Sequence, residues 1–169
     1  MISSRVHFAR ILFWIVLQII LLNNIFLFDI ATPYLYILPL LLLPLNINRQ
    51  LFLIIGFIIG LVIDLFEGTG GVFAASTLII AYLRPFYLSV AFGLAYEQMT
   101  IKFHEETFMQ KLAYASLMVI THHLSLYSLE AFSLNSIIMI LEKTVFSGIL
   151  NIILIMIIFY FLDKNRKNV

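Results

Sequence analysis

Two stretches carry side chains capable of chemistry in an otherwise apolar chain. The first, GFIIGLVIDLFEGTGG at residues 56–71, holds Gly56, Gly60, Asp64 and Glu67 at helical spacing. At 100° per residue these four fall within about 80° of one another, so one helix face reads small, small, acidic, acidic. Gly-x-x-x-Gly lets a neighbouring backbone approach closely, and the plainer reading of it is packing within the chain. A carboxylate inside a membrane span costs about 2.5 to 3.5 kcal/mol at its centre, which makes Asp64 a functional candidate. Gly68, Thr69, Gly70 and Gly71 then form a tight turn. It is not a phosphate loop, because no strand precedes it and no lysine follows it.

The second stretch is THHLSLYSLEAF at 121–132, with His122, His123, Tyr127 and Glu130. Paired histidines and a glutamate suggest a metal. However, His123 and Glu130 stand about 10.5 Å apart along a helix axis, too far for one ion unless other helices contribute. No His-Glu-x-x-His array occurs, so interhelical hydrogen bonding through His123, Tyr127 and Glu130 is the expected role. His104, Glu105 and Glu106 invite comparison with intramembrane proteases that place an arginine after paired glutamates. Gln110 stands where that arginine is wanted, which argues against the reading. Neither a nucleophile elbow nor a basic, aromatic nucleic-acid patch is present.

What must position these residues follows from composition. Of 169 residues, 63% are hydrophobic and 11% charged, against about 45–50% and about 25% in soluble domains. That is too little polar surface to cover a soluble core, so the chain is read as an integral membrane protein. Cysteine is absent, which removes disulfides and thiolate metal sites, and no cofactor is implied. The first apolar run lacks a small-residue cleavage site and reads as a retained span. Six segments qualify as spans in a single all-α transmembrane domain over 1–169: about 8–28, 32–45, 51–66, 72–94, 108–129 and 136–162. Pro33, Pro39 and Pro44 break the second, with Pro39 expected to remove an internal hydrogen bond. Such backbone is tolerated only where protein or a wet cavity satisfies it, so this segment is expected inside the bundle. Arg84-Pro85 is expected to bend or interrupt the fourth.

Six spans put both termini on one side, and basic residues choose which. Arg5, Arg10, Arg49, Arg84, Lys102, Lys111, Lys164, Arg166 and Lys167 fall at cytoplasmic ends, leaving only Lys143 of the ten basic residues outside. Asp29, Asp64, Glu67, Glu130 and Glu142 then lie outside. Asp64 is expected to be an orienting contact to a neighbouring helix or a partner chain, not a proton-transferring or metal-binding acid. Asparagine is expected to replace it with hydrogen bonding intact.

The segment GFIIGLVIDLFEGTGGVFAASTLIIAYLRP, residues 56–85, resembles the hallmark of the MreD family of bacterial rod shape-determining membrane proteins. The shared features are spaced glycines, an aspartate, a glycine turn and a small-residue helix. ATPYLYILPLLLLP at 31–44 and HHLSLYSLEAF at 122–132 are similar to the Bacteroidetes-like form, whereas Glu67 departs from the motif. The resemblance implies a non-enzymatic component of the cell-wall elongation machinery in the cytoplasmic membrane. Its implied partners are MreC above all, with MreB, RodA and a penicillin-binding transpeptidase reached directly or through MreC. It also implies a compact six-helix bundle similar to the substrate-binding subunits of energy-coupling-factor transporters. That similarity supplies an alternative, a vitamin-like small-molecule binding and transport subunit. A binding subunit should enclose convergent polar groups in a pocket, whereas a scaffold should offer a small-residue groove to a partner helix.

Overall fold

In a computed structural model the described residues, 4–25, 27, 31–45, 47–97, 103–131 and 137–167, are helical apart from turns, loops and one isolated bridge between Leu27 and Ala31. Helices α1 (Ser4–Ile20), α2 (Leu38–Leu42), α3 (Arg49–Glu67), α4 (Val72–Phe92), α5 (Leu94–Glu97), α6 (Phe108–Ala131) and α7 (Ile137–Lys167) follow in order, with 3₁₀ turns at Leu22–Asn24 and Leu35–Ile37. Among the described residues three helices are long and apolar enough to cross a membrane: α3, α4 and α7. α1 contributes a shorter apolar stretch. α6 has the length, at 24 residues, but buries Lys111, His122 and His123 among its apolar residues. Asp29 and Lys102, both members of the charge pattern that sets the orientation, lie outside the described residues, as do the side chains of Arg5, Arg166 and Lys167.

α3 shows the surface logic most clearly. Its buried residues are Phe52, Gly56, Ile59, Gly60, Ile63 and Asp64, one helical stripe. The opposite face, with Ile54, Phe57, Ile58, Leu61 and Leu65, is exposed and equally apolar. A helix that is hydrophobic all round belongs in lipid. The Asn48 side chain starts it by accepting from the amides of Gln50 and Leu51, and Gly68, at φ 69°, stops it in a left-handed cap.

Packing runs from α3 to α4, α4 to α6 and α6 to α7, with α1 laid against α3 and the 31–43 segment. That segment is the centre of the molecule: Tyr36, Ile37, Leu38 and Leu40 are fully buried. It is not a span-length helix, since only Leu35–Ile37 and Leu38–Leu42 are helical. Pro39 removes no internal bond either. It occupies the first turn of α2, where a missing N–H has no intrahelical partner to lose.

Two further boundaries depart from expectation. α1 ends at Ile20 and does not reach residue 28, because the chain turns at Asn23, whose side chain accepts from the Gln18 amide at 2.8 Å. α4 continues through Pro85 and stops at Gly93, φ 53°. Proline withholds one N–H from the ladder, and burial of Arg84, Tyr87, Leu88 and Ala91 on either side holds the helix together.

The glycine face of α3 packs against α4 of the same chain. A Cβ on Gly60 would collide with Thr77 Oγ1 and lie 2.5 Å from the Phe73 carbonyl oxygen and 2.6 Å from Ala74 Cα. On Gly56 it would meet Ala81 Cβ at 3.1 Å. Backbone cannot yield as a side-chain tip can, so the two glycines are not equivalent. Gly60→Ala is expected to destabilise the protein by about 2 to 3 kcal/mol and Gly56→Ala by about 1 kcal/mol or less. Thermal unfolding in detergent checks this; equal losses would show that the close approach is not at Gly60.

Candidate functional site

Asp64 closes the α3–α4 hairpin. Its Oδ1 accepts from Thr69 Oγ1 at 2.5 Å and from the Phe73 amide at 3.0 Å, while Oδ2 accepts from the Ala74 amide at 2.7 Å. Phe73 and Ala74 are the second and third residues of α4, whose first amides have no partner within their own helix. The residue at the cap position is Gly71, with no side chain to offer. A carboxylate from the preceding helix does that work, with the helix dipole favouring its negative charge. The neighbouring helix expected for Asp64 is thus α4 of the same chain, and the side chain is 4% exposed. Glu67 and Gly70 share none of this: both are exposed, and Gly70 serves the turn with φ 66°.

The second constellation divides as well. His122, His123 and Tyr127 are buried, whereas Glu130 is exposed at the end of α6. The buried three belong to a polar clasp around residues 31–37. From α7, Asn151 Oδ1 accepts the Tyr34 amide at 2.7 Å and its Nδ2 donates to the Thr32 carbonyl at 2.9 Å. Ser147 Oγ accepts the Thr32 amide at 3.1 Å and bonds the Tyr127 hydroxyl at 2.7 Å. From α1, Gln18 donates to the Pro33 carbonyl at 3.0 Å and accepts the Tyr36 amide at 3.3 Å. His123 Nε2 meets Asn151 Nδ2 at 3.1 Å, and its Nδ1 meets the Val119 carbonyl at 2.8 Å. His122 Nε2 pairs with the Tyr36 hydroxyl at 2.5 Å, and among the described residues its Nδ1 has no hydrogen-bond partner. Non-helical backbone at residues 32–36 is therefore bonded by side chains from two helices, α1 and α7, while His122, His123 and Tyr127 of α6 bond the side chains of Tyr36, Asn151 and Ser147.

Two cations are also used inside. Arg84, 3% exposed, donates to the carbonyls of Leu43 at 2.7 Å and Pro44 at 3.3 Å and to the Tyr114 hydroxyl at 3.0 Å. Its guanidinium carbon lies 4.1 Å from the centre of the Phe52 ring. The carbonyls just past the end of α2 are the negative pole of that short helix, so a cation there is favoured. Lys111 pairs with Asp163 at 2.6 Å and tethers the start of α6 to the end of α7. Sequence reasoning places both only as cytoplasmic-end charges and passes over Gln18, Ser147 and Asn151. A signal for these three does exist: single polar residues within long apolar runs. Among the described residues no three His, Asp or Glu side chains are grouped to hold a metal ion.

Comparisons with protein-family models, curated proteins and solved structures return no match. Geometry alone therefore assigns the roles of these side chains, and Asp64 offers the sharpest check. Both of its oxygens accept N–H groups, so asparagine would set an NH₂ against a backbone donor; the expectation that asparagine is a neutral replacement does not survive. Asp64→Asn is expected to lose about 1 to 2 kcal/mol and Asp64→Leu somewhat more. Chemical or thermal unfolding of the two variants measures it, and wild-type stability in Asp64→Asn would exclude the capping role.

Proposed function

We propose that the chain is a non-enzymatic scaffold of the bacterial cell-wall elongation complex, held in the cytoplasmic membrane by six spans with both termini inside. The observation that carries the reading is the resemblance of residues 56–85 to the MreD hallmark. Its spaced glycines, aspartate and glycine turn are the residues that lock α3 to α4, which gives a defining motif an architectural purpose. Support for the topology comes from the three membrane-length apolar helices and the basic residues at one set of ends. α1 and α6, with the helix fragments of 31–45, make up the remaining three passages in this reading. A cysteine at Glu105 that reacts with an impermeant reagent outside intact cells would contradict the orientation.

The scaffold reading changes in one respect. The glycine stripe packs against α4 of the same chain, as its plainer reading holds, and so is not a groove for a partner helix. Binding to MreC, and through it to MreB, RodA and a transpeptidase, then falls to outward faces, such as that of α7 with Ile138, Phe146, Ile149 and Ile153. The alternative, a small-molecule binding subunit, has one observation on its side: Tyr34, Tyr36, His122, His123 and Asn151 converge inside the bundle. Tyr34 and Tyr36 belong to the 31–37 segment, His122 and Asn151 bond to it, and His123 bonds Asn151, so these polar groups are engaged within the chain and the scaffold stands first.

Purification from native membranes in mild detergent tests the proposal. The expected result is recovery of an MreC-type bitopic protein with the wild type. Recovery of transporter ATPase subunits in its place would favour the alternative, and recovery of neither would remove support from both.

A further inference from the structure

The last residues of α6 and the first turns of α7 enclose a recess of about 210 Å³ lined by Tyr127, Glu130, Ala131, Met139, Ile140 and Lys143. This is smaller than the roughly 300 to 1,000 Å³ that accept a drug-sized ligand, and it suits a small polar group. Opposite charges line it without meeting. Among the described residues neither Glu130 nor Lys143 forms an ion pair, in contrast to Lys111 and Asp163 at the other end of the same helices. The Lys143 ammonium instead lies 5.6 Å from the centre of the Tyr127 ring, and the Tyr127 hydroxyl is engaged by Ser147. The floor of the recess is therefore an aromatic face and not a free donor.

Depth adds a second constraint. Lys143 stands six residues into α7, about 9 Å from its first residue, between the exposed apolar residues Leu141 and Val145. With α7 as a span, as the proposed function has it, a hydrocarbon core of about 30 Å centred on this 31-residue helix would leave Lys143 near the boundary between acyl chains and headgroups. Lysine stems reach toward such a layer readily. A simple anion would satisfy Lys143 but set negative charge beside Glu130, with Glu67 also within electrostatic reach. A simple cation would leave Lys143 opposed.

We propose that this recess binds a phosphoethanolamine group, its phosphate against Lys143 and its ammonium against Glu130. The primary ammonium donates N–H bonds to the carboxylate, which a quaternary ammonium cannot do, so ethanolamine is preferred to choline. The two carboxylates disfavour phosphatidylglycerol. The same chemistry has two sources, a lipid of the surrounding leaflet or a free solute.

The test uses the purified full-length chain in phosphatidylglycerol nanodiscs, with phosphatidylethanolamine, phosphatidylcholine or soluble O-phosphoethanolamine supplied in turn. Binding is read by native mass spectrometry. About tenfold preference for an ethanolamine ligand over its choline counterpart is expected, with loss of the preference in both Glu130→Gln and Lys143→Gln. Retention of phosphatidylethanolamine alone assigns the source to the bilayer. Retention of O-phosphoethanolamine in the ethanolamine-lipid-free disc assigns it to a solute. Equal retention of all three lipids with no solute bound overturns the proposal, as does a preference unchanged in both variants. If either single variant unfolds, the exchange Glu130→Lys with Lys143→Glu keeps both charges and carries the test. The exchanged protein should still prefer ethanolamine, and loss of that preference in a folded protein counts against the site.

Discussion

A run of backbone that is not helical lies inside a bundle of helices, and its N–H and C=O groups must find partners there. Water is not available to them as it is on a soluble surface, and each group left alone costs several kcal/mol. Residues 32–36 meet the requirement through Gln18, Ser147 and Asn151, which bond the amides of Thr32, Tyr34 and Tyr36 and the carbonyls of Thr32 and Pro33. Arg84 does the same for the carbonyls where the segment leaves the core. Much else follows from this. Gln18 of α1, His122 and His123 of α6, and Thr144, Ser147 and Asn151 of α7 are buried, many of the exposed residues on these helices are apolar, and α6 is the least apolar of the long helices because it brings His122, His123 and Tyr127 to the clasp.

The arrangement inverts the usual soluble pattern. Between helices in lipid there is no hydrophobic drive, because the surroundings are as apolar as leucine, so close packing and interhelical hydrogen bonds take over. Both devices are present and spatially separate. α3 and α4 use packing, with Gly56 and Gly60 against Ala74, Thr77 and Ala81. α1, α6 and α7 use hydrogen bonds to a common segment. Asp64 joins the two modes: it lies on the packing face but acts by capping the helix that packs there.

Local periodicity makes the first device legible in sequence. The stripe of Gly56, Gly60 and Asp64 does lie on one buried face, and 51–66 and 72–94 closely match α3 and α4. Glu67 satisfies the same angular arithmetic yet is exposed, because it is the final residue of α3, where the packed face has ended. The capping partner of Asp64 is not readable, since a cap is ordinarily sought two or three residues ahead and these amides are nine and ten away. The clasp is half legible. Three prolines announce broken backbone in 32–45 and hence a need for partners, but Asn151 and Ser147 meet it across separations of 115 to 119 residues. No helical or strand period reports pairings of that kind. Arg84 is hidden differently: its charge fits the orientation rule, which leaves no reason to suspect that it is buried.

The central claim is that the clasp, and not exclusion of water alone, holds the 31–37 segment. Site-resolved hydrogen exchange in lipid nanodiscs measures this at the Tyr34 amide, comparing wild type with Asn151→Leu. The account predicts wild-type protection comparable to the Ile80 amide in the middle of α4 and faster exchange at Tyr34 in the variant, with Ile80 unchanged. Rapid exchange at Tyr34 in the wild type, or protection that Asn151→Leu leaves intact, would contradict it.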